Sequence, residues 1–341
     1  MRARATVLLI TGALVAALFA GAPVAAVPPD VVSTTFSEGE QDAARAYWTP
    51  ARRAAAIPGE VRIAERQPRI SPRTVERSAP TTIAPMQPAS KTNGKGGGKG
   101  GRGGGSTSPT VTGATWTGGG LVATTTGKVF FTLNGTNYVC SGSVVTSANQ
   151  STVLTAGHCL NDGPDNFASR FVFVPAYSGD GRSETGPYGT WAASGLYTTS
   201  QWASNGDFDY DVGFAKVETK THNVTLAGTV GSQGIGFNKS YGLHVYAFGY
   251  PAASPYNGAT LTYCAGNTVR DPYGYTTQGL VCDMTGGSSG GPWYEGFNAT
   301  QGAGTAYSVN SYRYTRGKHT DKMFGPYFGA TIKTLYDTVS K

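Results

Sequence analysis

Two short runs in this chain hold the residue types that nucleophilic catalysis needs: Thr155-Ala156-Gly157-His158-Cys159 and Gly287-Ser288-Ser289-Gly290-Gly291-Pro292. A serine hydroxyl is a weak nucleophile at neutral pH. It needs an imidazole to take its proton and backbone N–H groups aimed at the oxyanion that forms on the attacked carbonyl. The glycines of the second run suit that task, because two N–H groups converge on one oxygen only in a tight turn with unusual φ/ψ and no Cβ in the way of substrate. The two runs therefore look like the histidine and serine arms of a hydrolase, with the N–H groups of Gly287 and Ser289 as the candidate oxyanion hole. In a chain with 49 glycines a Gly-Ser run is also an ordinary turn or linker. The histidine run upstream is what gives it chemical meaning.

Such a pair needs an acid that fixes the imidazole tautomer and stabilises the imidazolium. The segment Asp207-Phe208-Asp209-Tyr210-Asp211-Val212-Gly213-Phe214-Ala215 offers three. Asp211 is preferred because it directly precedes Val212, Phe214 and Ala215, the pattern of a strand entering a core, where an acid would be buried. Asp207 and Asp209 read as a solvated turn before that strand. Gly287 to Gly291 also satisfies the Gly-x-Ser-x-Gly elbow of α/β-hydrolases. That fold places its acid and then its histidine after the serine, and here only His319 follows Ser289, with Glu295 the only acid between them. An esterase is thus the weaker reading. His222, His244 and His319 lie apart from any paired acid or cysteine pattern and read as structural or surface residues.

Cys140-Ser141-Gly142-Ser143-Val144-Val145, the run from Thr155 to Cys159, Asp211-Val212-Gly213-Phe214, and the run from Cys282 to Trp293 together resemble the chymotrypsin-like serine endopeptidases. The likeness is stronger to their secreted bacterial branch, which includes the V8-type glutamyl endopeptidases, and it spans most of residues 120–341. It implies a His158, Asp211, Ser289 triad acting through an acyl-enzyme. It also implies two six-stranded antiparallel barrels with the site in the cleft between them. Ser311-Tyr312-Arg313 then match the strand that pairs with substrate backbone, an edge that a peptide augments. An ordinary core-edge strand is the plain alternative for that segment. The four cysteines of an exported chain read as disulfides with three possible pairings; the resemblance and local spacing select Cys140 with Cys159 and Cys264 with Cys282. A zinc site is the alternative for neighbouring Cys and His, but no C-x2-C spacing supports it. No organic cofactor is implied; loops of such a chain can hold calcium, but no spacing here shows a site.

The resemblance also bears on activation and specificity. Trypsin-like zymogens pair a new N-terminal amine with an aspartate just before the nucleophile. Here that position is Ser288, and Gly118-Gly119-Gly120-Leu121-Val122 lacks an Ile-Val-Gly-Gly start, so ragged termini between about Gly105 and Gly118 should be tolerated. Asp283 stands six residues before Ser289, where trypsin-like enzymes place the acid that reads Arg or Lys. Asn310 stands where many glutamate-specific relatives use a histidine. Basic or broad specificity is the reading, with a hydrogen-bonded structural Asp283 as its alternative.

The formal net charge of +7 suggests a nucleic-acid partner until its distribution is seen. Residues 1–105 carry 14 Lys and Arg against 7 Asp and Glu, and residues 106–341 carry 13 of each. The catalytic part has no basic excess for phosphates. Met1-Arg2-Ala3-Arg4 followed by an apolar stretch from Val7 to about Ala20 and by Val24-Ala25-Ala26 is a signal-peptide pattern, with cleavage after Ala26. The mature protein is then expected to be secreted, extracellular and free of the membrane, a monomer acting on protein or peptide substrates.

Residues 27–90 are rich in Pro, Ala and Arg and read as a propeptide, with an amphipathic, helical stretch around Ser37 to Ala56. Ala43 to Pro50 resembles a propeptide segment of the bacterial branch. A disordered spacer is the alternative. Residues 91–109 hold a Gly/Lys/Arg tract with no side chains to bury, a tether that exposes basic residues to processing; an RNA-binding arm is the alternative that export disfavours. From Thr110 the texture changes to short runs rich in Val, Thr, Tyr and Phe. These include Gly127–Leu133, Tyr138–Val145, Thr152–Thr155, Phe171–Val174, Val212–Val217, Leu243–Gly249, Thr260–Tyr263 and Ala306–Tyr314. Their spacing predicts an all-β domain, divided by the resemblance into barrels over 110–225 and 226–341. Ile332, Leu335, Tyr336 and Val339 predict a terminal helix packed on the second barrel. An inactive protease-fold binding protein remains the alternative from another class, favoured only where a triad member is missing.

Overall fold

The computed structural model describes residues 28–63, 74, 78–89, 110–179, 186–218 and 224–341. The signal-peptide pattern, the glycine tract and His222 lie outside the described residues. Five strands precede the first barrel: β1 (Val31–Thr35), β2 (Ile57–Pro58), β3 (Val61–Ile63), β4 (Thr81–Ile83) and β5 (Val111–Thr115). The barrel itself is β6 (Thr126–Leu133), β7 (Thr136–Val145), β8 (Thr152–Thr155), β9 (Ser169–Pro175), β10 (Trp191–Thr199) and β11 (Gly213–Glu218). These run β10-β11-β8-β7-β6-β9, and β9 pairs back onto β10 to close six antiparallel strands. Asn134 and Gly135 both take positive φ, 49° and 77°, which gives the β6–β7 hairpin the twist its strands require.

Side-chain alternation explains why these strands read as apolar on both faces. Val129 and Phe131 of β6 and Phe171 and Phe173 of β9 fill the barrel interior. The alternate residues Phe130, Val172 and Val174 form a second buried cluster on the outside, with Ala44 and Trp48. A barrel strand with a wet outer face would alternate with polar residues; here helix α1 (Glu38–Tyr47) covers that face. Its start is fixed by Ser37 and Glu40, which cap each other's backbone N–H groups. Trp48 Nε1 donates to the Arg170 carbonyl at 2.6 Å, and buried Arg53 donates to Thr190 Oγ1 at 2.8 Å. The single helix expected around 37–56 is broken into α1 and α2 (Pro50–Ala54). Pro50 lacks an N–H and forces Thr49 into an extended conformation, from which Thr49 caps the second helix.

The second half comprises β12 (Gly234–Phe237), β13 (His244–Gly249), β14 (Thr262–Asn267), β15 (Val269–Arg270), β16 (Gln278–Val281), β17 (Pro292–Asn298), β18 (Ala303–Val309), β19 (Tyr312–Tyr314) and β20 (Lys322–Gly325). They lie in two sheets, β4-β12-β18-β17-β13-β14-β5 and β15-β16-β20-β19-β3. The run expected from Ala306 to Tyr314 is split at Asn310-Ser311, where the chain leaves one sheet and enters the other. The Cys264–Cys282 disulfide, Cα–Cα 5.4 Å, ties β14 of one sheet to the residue after β16 of the other. The C-terminal helix Ala330–Val339 buries the four expected apolar residues. It packs on both halves, however: the Tyr336 ring lies 5.9 Å from Phe214 of the first barrel and 5.3 Å from Phe237 of β12.

Candidate active site

His158 is delivered by β8, which ends in a 3-10 turn at Gly157–Cys159. The Cys140–Cys159 disulfide, Cα–Cα 6.4 Å, ties that turn to β7. Gly157 has to be glycine, because a Cβ there would meet the Trp202 ring at 2.8 Å and Asp211 Oδ1 at 3.0 Å. That close approach lets Asp211 hold the histidine twice. Its Oδ1 accepts the His158 backbone N–H at 2.8 Å, and its Oδ2 lies 2.8 Å from His158 Nδ1. Asp211 is fully buried, and Ser311 Oγ donates to its Oδ2 as well. A carboxylate removed from water is stable only with such donors.

The other two acids of that segment have structural tasks. Asp209 is buried, not solvated as expected, because its Oδ1 accepts the Thr276 N–H at 2.9 Å. Asp207 accepts the Asp209 N–H at 3.2 Å and starts the short turn that ends at Asp211.

Ser289 sits in a turn with Gly287 at φ 93° and Gly290 at φ 78°, conformations that favour glycine. Buried polar side chains from distant parts of the chain brace this turn. Ser141 N–H donates to the Ser289 carbonyl and Ser141 Oγ to the Gly287 carbonyl, both at 2.8 Å. Asn310 Nδ2 donates to the carbonyls of Ser288 and Phe248 at 2.9 and 3.0 Å, while its Oδ1 accepts from Trp293 Nε1 at 2.7 Å. Ser288 Oγ donates to the Thr285 carbonyl at 2.8 Å. Asn310 is thus a buried strut of this turn.

The structure divides the expected substrate residues by role. Ser311 turns to Asp211, and the Tyr312 hydroxyl is buried against Thr277 and Asp271 at 2.8 and 3.1 Å. Tyr312 and Arg313 belong to β19, which pairs with β20 on one side and with β3 on the other. Asp283 and Arg313 line a cavity of about 300 Å³ together with Thr285, Thr315 and Glu60. Asp283 is exposed and accepts the Tyr256 hydroxyl at 2.6 Å. Partial desolvation, together with that carboxylate, pushes the Tyr256 phenol up to about 12. Arg313 donates to the carbonyls of Cys282 and Met284 at 2.6 Å each.

The Gly287 N–H and the Ser289 hydroxyl both donate to the carbonyl of Gly59, at 2.7 and 3.2 Å. His158 Nε2 is buried with no hydrogen-bond partner among the described residues. His244 packs edge-on to Tyr246 and His319 to Tyr273. Among the described residues, the grouping with metal-ligand spacing is Cys140, His158 and Cys159. It does not fit a metal ion: both sulfurs are spent in the disulfide and Nδ1 faces Asp211.

The trypsin-like peptidase domain family matches residues 140–298. A solved structure of protease Anisep from Arthrobacter nicotinovorans is 50% identical, with 64% of this chain and 95% of that chain covered and a TM-score of 0.58. A thermostable serine protease, AL20, from an extremophilic microorganism is 45% identical, covering 64% of this chain and 98% of that one, with a TM-score of 0.59. A curated relative described as an extracellular metalloprotease of Bacillus subtilis (strain 168) is 26% identical over 173 residues, 51% of each chain, so the match spans about half the length of that relative. Because it covers nearly the whole length of serine proteases at such identity, this chain belongs to the trypsin-like serine peptidase family.

Proposed function

We propose that this chain is an exported serine endopeptidase that hydrolyses peptide bonds through an acyl-enzyme on Ser289. The observation that carries the reading is the double hold of buried Asp211 on His158 beside the Gly287–Gly291 turn. Asp211 keeps the imidazole proton on Nδ1, which leaves Nε2 as the base for the Ser289 hydroxyl. Oγ attacks the substrate carbonyl carbon, its proton passes to Nε2, and the oxyanion is met by the N–H groups of Gly287 and Ser289. The tetrahedral adduct collapses as the C–N bond breaks and the leaving nitrogen takes the proton from Nε2. Water then repeats the sequence on the ester, releasing the acid and restoring the hydroxyl.

Substrate backbone would extend the sheet at β19. Asp283 is a poor lone reader of basic side chains, since it is exposed, engaged by Tyr256 and shares its cavity with Arg313. Broad selection at that cavity is therefore the proposal. A metal-dependent mechanism, which the printed name of the Bacillus relative would suggest, finds no fitting ligand set among the described residues.

The test is labelling of the processed enzyme by a fluorophosphonate, with the modified peptide identified by mass spectrometry. Ser289 should carry the label and Ser289→Ala should neither label nor cleave peptides. Label on Ser288, or undiminished cleavage by Ser289→Ala, overturns the assignment.

A further inference from the structure

Residues 57–60 run through the catalytic cleft, and β3 leaves it along the strand proposed for substrate. β2 pairs in parallel with β7 at Ile57 opposite Tyr138 and Pro58 opposite Val139. Gly59 N–H donates to the Val139 carbonyl at 2.8 Å. The Gly59 carbonyl then receives the Gly287 N–H and the Ser289 hydroxyl, and Glu60 enters the cavity shared by Asp283 and Arg313. Beyond it, β3 pairs in parallel with β19, Val61 opposite Tyr312 and Ile63 opposite Tyr314.

Resting on the serine peptidase reading, we propose that residues 57–63 are a built-in inhibitor of this cleft. The segment occupies the oxyanion site and diverts the nucleophile, and its chain direction protects it from cleavage. Diversion is visible in the hydrogen bonds: the Ser289 proton points at the Gly59 carbonyl, and His158 Nε2, the atom that should receive it, has no partner among the described residues. Protection follows from direction. Hydrolysis of the Gly59–Glu60 bond would require the Glu60 nitrogen to leave with a proton from His158. That nitrogen leads into β19. The residues before Gly59 lead along β7, the strand whose Cys140 is bonded to Cys159 beside His158. The half that should leave therefore lies where the acyl half should stay.

Two features hold the segment in place. Gly59 fits because a Cβ there would meet Cys140 Sγ at 2.8 Å and the Val139 carbonyl at 3.2 Å. Upstream, Trp48 and Arg53 are buried on the first barrel, so the segment is delivered to the cleft from a fixed anchor.

The experiment compares fluorophosphonate labelling of Ser289 in the processed enzyme and in an uncleaved full chain carrying Lys91→Gln, Lys95→Gln, Lys99→Gln and Arg102→Gln, its integrity checked by intact mass. A tethered occupant acts at an effective concentration of about a millimolar, so a segment that binds at about 10 µM in trans should slow labelling about 100-fold. Adding Gly59→Val to the uncleaved chain should restore most of that rate. Equal labelling of the processed enzyme and of the uncleaved chain with Gly59 intact overturns the inference and leaves the catalytic reading standing, whereas labelling of neither overturns both. Because Gly59→Val could misfold, a synthetic peptide of residues 55–65 is also added to processed enzyme. It should inhibit and be recovered intact; absence of inhibition, or cleavage between Gly59 and Glu60, refutes the reversed inhibitor.

Discussion

Replacing Asp211 by Asn is the sharpest test of how the proposed triad works, because it keeps volume and removes only charge and acceptor capacity. Among the described residues, the three groups that hydrogen-bond to this carboxylate are donors in the productive state: the His158 backbone N–H, the His158 Nδ1–H and the Ser311 hydroxyl. An amide offers one acceptor oxygen and two N–H donors. If its nitrogen took the Oδ1 position it would face the His158 backbone N–H, two donors with no acceptor between them. The amide nitrogen should therefore take the Oδ2 position. Ser311 can rotate to accept, but the imidazole can answer only by moving its proton from Nδ1 to Nε2, which leaves the nitrogen facing Ser289 unable to act as a base. The expected loss in kcat is about 10⁴-fold, with substrate binding little changed, equivalent to about 5.5 kcal/mol at 1.36 kcal/mol per tenfold. Steady-state kinetics on the processed variant would measure it, with a melting curve to establish that it folds. Asp209→Asn is the control, since Asp209 serves the Thr276 backbone. Retention of more than about a tenth of wild-type kcat by Asp211→Asn, or an equal loss in Asp209→Asn, would refute the tautomer argument.

His158→Ala and Ser289→Ala should each remove nearly all turnover, and the double variant should lose little more, because such groups act as a unit; multiplicative losses in kcat would contradict this. Lys128, buried in β6 with its ammonium 4.4 Å from the Tyr177 ring centroid, has its pKa lowered to about 8 by desolvation. The unfolded chain holds that proton up to about 10.5, so folding is penalised below pH 8 and the penalty fades as pH rises from about 8 to 10.5. Lys128→Met should thus raise stability by about 3 kcal/mol at pH 7 and by little near pH 10.5; denaturant titrations showing a pH-independent gap would refute it. Cys264→Ser with Cys282→Ser opens a loop of 18 residues and should cost about 3 kcal/mol, read as a lower denaturation midpoint; an unchanged midpoint would show that the two sheets are held together without it.

What the sequence disclosed and what it withheld divide along a physical line. Local chemistry was legible. The histidine and serine runs and the acid before β11 are each written within a few residues, and several strands fall where Val, Thr and Phe alternate with turn residues; the two cysteine pairs, 19 and 18 positions apart, came from the family resemblance and local spacing. Long-range polar supports were not. Nothing local to Ser141 or Asn310 shows that each reaches across more than 15 positions in sequence to brace the turn around Ser289. The break between β18 and β19 was missed for the same reason, because Asn310 and Ser311 leave an apolar run to serve Ser288, Trp293 and Asp211.

One signal was present and unread. Phe130-Phe131 and Phe171-Val172-Phe173-Val174 are apolar on both faces, which a barrel wall facing water does not afford. That pattern requires a cover, and the apolar stripe of α1 with Trp48 supplies it. The basic, proline-containing segment, read as a propeptide with a disordered spacer as the alternative, is thereby tied to the first barrel. A chain anchored at Trp48 and Arg53 has only a few residues to travel before it meets β7 beside the disulfide, and from there β3 pairs with β19. Occupation of the cleft by Gly59 follows from that anchoring, so the buried outer face of the barrel and the state of the nucleophile are parts of one arrangement.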